Sequence, residues 1–159
     1  MNKGGSQMKI IEYETQYQDA ILEISLEWLN KYDILEEVDI EMLKYPERIL
    51  EKDGHIFLAQ EEDGEISGMV MLENHGESCE VLKFGVREIY QGRGIGRKLM
   101  REAIHAAKAE GKKKLTLCSN HQLSSALHLY QEMGFYYIDR VPSCFVMSDV
   151  FMEMDLGLK

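Results

Sequence analysis

Gln91, Gly92, Arg93, Gly94, Ile95 and Gly96 set three glycines at alternate positions directly ahead of a helical run. Without a Cβ, such a backbone can approach a ligand closely. A helix that starts there points its first N–H groups outward without intrahelical partners, with the positive end of its dipole behind them. The combination is a seat for a phosphate. Arg87, Arg93, Arg97, Lys98 and Arg101 cluster around it and suit an anionic ligand.

Two phosphate-binding patterns fail here. A Walker loop counted from Gly92 needs a second glycine at position 97, as does a GxGxxG dinucleotide fingerprint, and the residue there is Arg97. The dinucleotide fold also wants an acid closing the next strand, whereas Lys114 to Leu117 runs into Cys118, Ser119 and Asn120. Gln91, Gly94 and Gly96 do fit the signature (Q/R)xxGxG/A, by which the chain resembles the GCN5-related N-acetyltransferase (GNAT) superfamily. A second block carries the resemblance further. In SNHQLSSALHLYQEMGF, the residues Asn120, Ala126, Leu129, Tyr130, Gly134 and Phe135 match the family's closing N, A, LY and GF at the usual spacings. The likeness extends from about Met8 to Leu156.

The resemblance implies an acyltransferase that moves the acetyl group of acetyl-CoA to a primary amine of a small molecule or peptide, by direct attack in a ternary complex. Carried over by position, Phe84, Gly85 and Val86 offer backbone groups to the pantetheine arm and the acetyl carbonyl. Gln91, Gly92, Arg93, Gly94, Ile95 and Gly96, with Arg97, cradle the pyrophosphate. Asn120, Ala126 and Leu129 line the other wall, and no metal is called for. A backbone N–H near Val86 is the natural oxyanion donor, being fixed before reaction. Tyr130 occupies the position of the family's acid and can give its phenol proton to the departing thiolate. Glu80, on the strand beside the expected acetyl group, is the candidate base. Cys118 could carry the acetyl group covalently, against the plainer reading of a small buried residue at a strand end. His75, His121 and His128 read as exposed. A CoA-binding sensor or interaction domain without turnover is the alternative class.

These residues need elements to hold them. Val81, Leu82, Phe84 and Val86 mark a strand before the glycines, and Ile95, Leu99, Ala103, Ala106 and Ala107 a helix after them, ended by Gly111 and followed by three lysines. Upstream lie a strand at Lys9 to Tyr13, a helix from Gln16 to about Asn30 with Thr15 as N-cap, and a second helix from about Ile40 to Leu50, preceded by Asp39 and interrupted by Pro46. Ile56 to Gln60 and Glu65 to Leu72 form a hairpin at Asp63-Gly64, and a loop with His75 and Gly76 leads onward. Downstream come a strand at Leu115 to Cys118, a helix carrying Leu123, Ala126, Leu127, Tyr130 and Met133 and closed by Gly134, and strands at Phe135 to Ile138 and Val150 to Leu156. The order β-α-α-β-β-β-α-β-α-β-β is a mixed α/β (α+β) sheet. The resemblance adds that its central strands splay apart.

At 159 residues and 45% hydrophobic content, the chain suits one domain, residues 8 to 159, behind a flexible tail, residues 1 to 7, with Met8 as a possible natural start. No apolar run approaches the ~20 residues of a membrane span. Three cysteines without CxxC spacing agree with a cytoplasmic location. Residues 1 to 78 hold 6 basic and 19 acidic side chains, net -13, and residues 79 to 159 hold 12 and 9, net +3. A nucleic-acid partner is excluded by the small basic cluster on an acidic chain. The acidic half suits a cationic acceptor, with Glu36, Glu37 and Asp39 facing a polyamine, an aminoglycoside-like base or a lysine-bearing peptide. The acceptor is expected between the segments Tyr32 to Asp39 and Arg140 to Ser148. Exposed edge strands make a homodimer possible.

Overall fold

The computed structural model describes residues 8–157, so the expected tail, residues 1 to 7, lies outside the described residues. Seven strands form one sheet in the order β1-β2-β3-β4-β5-β7-β6. They are β1 (Lys9–Glu12), β2 (His55–Gln60), β3 (Ile66–His75), β4 (Ser78–Val86), β5 (Lys114–Ser119), β6 (Tyr136–Ile138) and β7 (Val150–Asp155). Among the described residues only the β4–β5 pair is parallel, and α4 (Ile95–Ala109) makes the crossover between them.

The sheet is buried on both faces, which is why β3 reads as a continuous apolar run rather than an alternation. Its Val70 and Leu72 face α4 and α5 (Ser124–Met133), in a core with Leu99, Met100 and Met152. Its Met69 and Met71 face α1 (Gln18–Lys31), α2 (Glu37–Lys44) and α3 (Glu47–Glu51), in a core with Ile21, Ile24 and Leu43. Small Ala103 and Ala107 on the buried side of α4 bring that helix close to the strands.

Two irregularities shape the middle of the sheet. The β4–β5 ladder stops at Val81↔Leu117, although β4 continues to Val86 and β5 to Ser119. The strands splay there as expected, and the edge of β4 that faced β5 has no strand partner beyond Val81. On the other side, Lys83 pairs with Met71 and Val81 with Leu72, so Leu82 is an extra residue, a β-bulge. The bulge shifts the alternation by one. Val81 faces α4 and α5, Lys83 turns to α2, and Phe84 faces α5 again.

Several boundaries differ from the sequence reading. Thr15 does not cap α1; the Tyr17 N–H bonds Glu14 O, and a 3₁₀ turn over Thr15–Tyr17 precedes the helix. The second helix is split at Pro46 into α2 and α3, and α2 starts at Glu37, before Asp39. Asp39 lies within its first turn and accepts the Glu36 N–H. In the β2–β3 hairpin only Gly64 takes a positive φ, and Asp63 accepts the Glu65 N–H instead of forming a two-residue turn. The expected loop at His75 is strand: β3 runs to His75, and the turn into β4 is Gly76 and Glu77.

Candidate functional site

The glycine loop and the splay open into one cleft. Gly92 and Gly94 have φ of 86° and 80°, and a Cβ on either would meet no atom within 4 Å. Gly94 is the N-cap of α4, and the Lys98 N–H is the first to reach a helix carbonyl, Gly94 O at 3.2 Å. Among the described residues, the N–H groups of Gly94 through Arg97 donate no main-chain hydrogen bond. The first turn of α4 carries no acid. The result is a row of donors at a helix N-terminus, on backbone whose missing side chains leave space in front of it. Gly96 serves differently, since a Cβ there would sit 3.2 Å from Phe84 Cζ.

This loop borders a cavity of about 370 Å³, within the size range of small-ligand sites. Phe84, Gly85 and Val86 of β4 line it, with Gln91, Gly92, Gly94, Ile95, Gly96 and Arg97 from the loop and α4, and Ala126, Leu129 and Tyr130 from α5. Gln91 also holds the loop in place, its amide donating to Val86 O at 3.0 Å. Arg97 pairs with Glu132 and so ties α4 to α5; the guanidinium hydrogen bond holds the Glu132 carboxyl below its ordinary value. Arg93 does not line the cavity. Its guanidinium lies over the Tyr90 ring, 5.3 Å from the centroid, and 3.9 Å from Glu61.

Sequence reasoning missed the wall supplied by α1. Glu27, Trp28, Lys31 and Tyr32 line the cavity opposite α5. Trp28 lies against Gly85, where a Cβ would come within 2.3 Å of the indole Cζ3. Glu27 accepts the Glu88 N–H at 3.0 Å and fixes α1 to the turn after β4. A single tryptophan on a helical stripe carries no signal beyond core packing, and only the glycine across from it gives the contact meaning. Gly85→Ala is therefore expected to displace the indole and cost roughly 2 kcal/mol of stability, the range for overpacking. Urea unfolding measures it, and an unchanged midpoint would show that Trp28 moves freely.

A second, smaller cavity of about 70 Å³ lies between the splayed ends of β4 and β5. Trp28, Phe84, Leu123 and Tyr130 border both cavities, so the two meet at those side chains. Asn120 belongs to the second cavity, with its amide committed: Nδ2 donates to Met147 O at 2.8 Å, and Oδ1 accepts the Gln122 N–H at 2.9 Å. Cys118 also lines it, its Sγ accepting from Ser148 Oγ at 3.2 Å. Tyr130 is buried, and burial pushes its phenol well above the ordinary value of 10.0, so the group holds its proton at neutral pH.

Glu80 stands apart from both cavities. It lies before the bulge, opposite Glu73, with its carboxylate 3.2 Å from His75 Nε2. Burial raises its carboxyl, and the imidazole opposes that rise. The geometry thus gathers Tyr130 and the glycine loop but not Glu80. His121 and His128 are exposed and paired with Asp149 and Glu132.

The family model described as acetyltransferase (GNAT) family matches residues 19–135. An uncharacterized N-acetyltransferase of Escherichia coli (strain K12), YjgM, is 27% identical over 101 residues, which cover 61% of this chain and 60% of that one. The match therefore spans less than two thirds of that relative. The crystal structure of a GNAT-family acetyltransferase from Staphylococcus aureus Mu50 superposes with a TM-score of 0.85 at 25% identity, over 94% of this chain and 99% of the other. The PaiA N-acetyltransferase of Thermoplasma acidophilum, solved in complex with coenzyme A, shares the fold with a TM-score of 0.74 at 21% identity, over 93% and 98% of the two chains.

Proposed function

The chain belongs to the acetyltransferase (GNAT) family, and from that premise we propose that it is an acetyl-CoA-dependent N-acetyltransferase acting on a primary amine. The observation that carries the proposal is the unpaired row of N–H groups from Gly94 to Arg97, beside the open space at Gly92 and Gly94. That row fits a diphosphate. The edge of β4 beyond Val81, which has no strand partner at Phe84 to Val86, fits the amide-bearing pantetheine arm as a further strand would.

Acetyl-CoA, when bound, supplies the acetyl group on an activated thioester. The chain's own residues then have three tasks. Main-chain N–H groups of β4 near Val86 stabilise charge on the carbonyl oxygen, already fixed and at low reorganisation cost. Trp28 and Phe84 narrow the junction of the cavities and keep the amine aimed at the carbonyl. Tyr130 holds the proton that the sulfur takes as the C–S bond breaks, while the new C–N bond forms and the amine's proton leaves. Because Glu80 is engaged by His75 and lies outside the cavities, we assign that last proton to water in the cleft rather than to a side chain. The three cysteines are free, which suits the cytoplasm, and no helix among the described residues is long and apolar enough to cross a membrane.

Release of free thiol from acetyl-CoA in the presence of a panel of amines tests the proposal. Tight CoA binding without thiol release on any amine would make the protein a CoA sensor instead.

A further inference from the structure

We infer that the acceptor is taken up as a cation and that Glu27, on the α1 wall of the larger cavity, is the carboxylate that holds its ammonium. The inference rests on the acetyltransferase reading and deepens it. The diphosphate then occupies the α4 amides, whereas α1 packs on the opposite face of the sheet, so the α1 side of the cleft is left to the amine.

Glu27 is the middle one of three charged side chains spaced one turn apart on α1, Glu23, Glu27 and Lys31. All three meet the segment that follows β4. Arg87 pairs with Glu23 at 3.2 Å, and Lys31 pairs with Glu88 at 2.5 Å. Between them, Glu27 Oε1 accepts the Glu88 N–H at 3.0 Å. Among the described residues, Oε2 has no hydrogen-bond donor and the carboxylate has no ion-pair partner.

The other acids lining the two cavities are engaged differently. Glu88 is paired with Lys31, and Asp39 Oδ1 lies 2.6 Å from Lys83 Nζ, with both of the latter side chains almost fully buried. Asp39 Oδ2 accepts the Glu36 N–H at 2.8 Å, and the two Glu36 oxygens accept the Val146 and Met147 N–H groups at 2.9 and 2.8 Å. That wall keeps a net negative charge, which draws a cation toward this side, but each of its carboxylate oxygens already holds a donor. Glu37, expected to join Glu36 and Asp39, is exposed and lines neither cavity. Glu27 is where the attracted cation meets an oxygen without one.

Position favours the same residue. Trp28, next to Glu27, lies against Gly85, and the Glu88 N–H that Glu27 holds is two residues past Val86, roughly 7 Å of extended chain. Glu27 thus stands beside the stretch of β4 whose N–H groups receive the carbonyl oxygen. An alkylamine, with a pKa near that of lysine at about 10.4, arrives protonated at neutral pH. Glu27 is exposed, so it loses little hydration on pairing, and a charge-assisted hydrogen bond orients the nitrogen. The ammonium then gives a proton to cleft water, and the neutral nitrogen attacks.

Butylamine, 1,4-diaminobutane and Nα-acetyl-lysine amide serve as probes, assayed by thiol release from acetyl-CoA. Glu27→Gln keeps an acceptor for the Glu88 N–H and removes only the charge, so its urea midpoint should match the wild type, and a purely structural Glu27 predicts no kinetic effect. The expected result is a KM at least fivefold higher for the probe that the wild type acetylates fastest, with kcat changed less than twofold and CoA affinity unchanged in calorimetry. Glu23→Gln removes a charge one turn away, outside both cavities, and should change the same KM less than twofold. Acetylation of a probe with an unchanged KM in Glu27→Gln, or with equal effects in the two variants, overturns the inference alone. Acetylation of none of the three overturns the acetyltransferase reading on which it rests.

Discussion

Gly94→Val is expected to lower CoA affinity at least 100-fold, about 2.8 kcal/mol at 1.4 kcal/mol per tenfold, measured by calorimetry. Two effects act on that residue. Its φ of 80° strains any β-branched side chain, and its missing Cβ faces open space in front of the α4 amides. Gly111 separates them. It lies just past the other end of the same helix, has φ of 75°, and also faces open space. Gly111→Val should therefore lose a similar amount of stability, on the order of 1–3 kcal/mol for a non-glycine residue held there, and keep its CoA affinity. If both variants bind CoA normally, the diphosphate does not sit on this loop. If both lose binding equally, helix strain rather than the seat is responsible.

The glycine loop was legible because its constraint is local. Alternate glycines before an amphipathic run already state a left-handed N-cap and a close approach, and they do so without reference to any distant residue. The helix ends at Gly111 and Gly134 were legible for the same reason, and both glycines have positive φ. What escaped the sequence depends on partners far along the chain. The Leu82 bulge is set by how β4 registers on β3, and no residue type announces it. Thr15 has the composition of a cap, yet the chain tightens into a 3₁₀ turn after Glu14 and begins the helix three residues later.

The site divides along the same line. Of the residues expected to hold the cofactor between Phe84 and Arg97, all but Arg93 line the cavity, and Tyr130 joins them from α5. Glu80 is expected as a base because it lies on β4 near the acetyl position, and position along a strand does not say which groups a side chain meets. Its true neighbours, Glu73 and His75, come from a strand extended by three residues past its expected end. Nothing in the sequence around Lys83 marks it as buried. Its burial follows from Asp39, 44 residues earlier, and from the bulge that turns it to α2. Pairing across 44 residues is set by the fold, and local sequence does not reveal it.

Tyr130→Phe is the second large effect, an expected loss of about 100-fold in turnover, the lower end for general acid catalysis, with acetyl-CoA affinity unchanged. The ring is packed on two sides, 5.7 Å from Phe84 and 5.6 Å from Phe135 between centroids, and phenylalanine keeps both contacts. Unfolding should therefore shift by no more than about 1 kcal/mol, within the range of volume-conserving swaps. The sign of the pH dependence is fixed by burial. The folded phenol ionises above its ordinary value of 10.0, so the proton donor is intact across neutral and mildly alkaline pH. Its contribution to stability is complete below pH 10 and fades as pH rises from there through the folded value, because the unfolded chain ionises first. Wild-type turnover should accordingly rise with pH as more of the amine is neutral, with no fall attributable to Tyr130 below pH 10. A Tyr130→Phe protein that turns over at the wild-type rate would reduce Tyr130 to a packing residue between Phe84 and Phe135 and leave protonation of the sulfur to water.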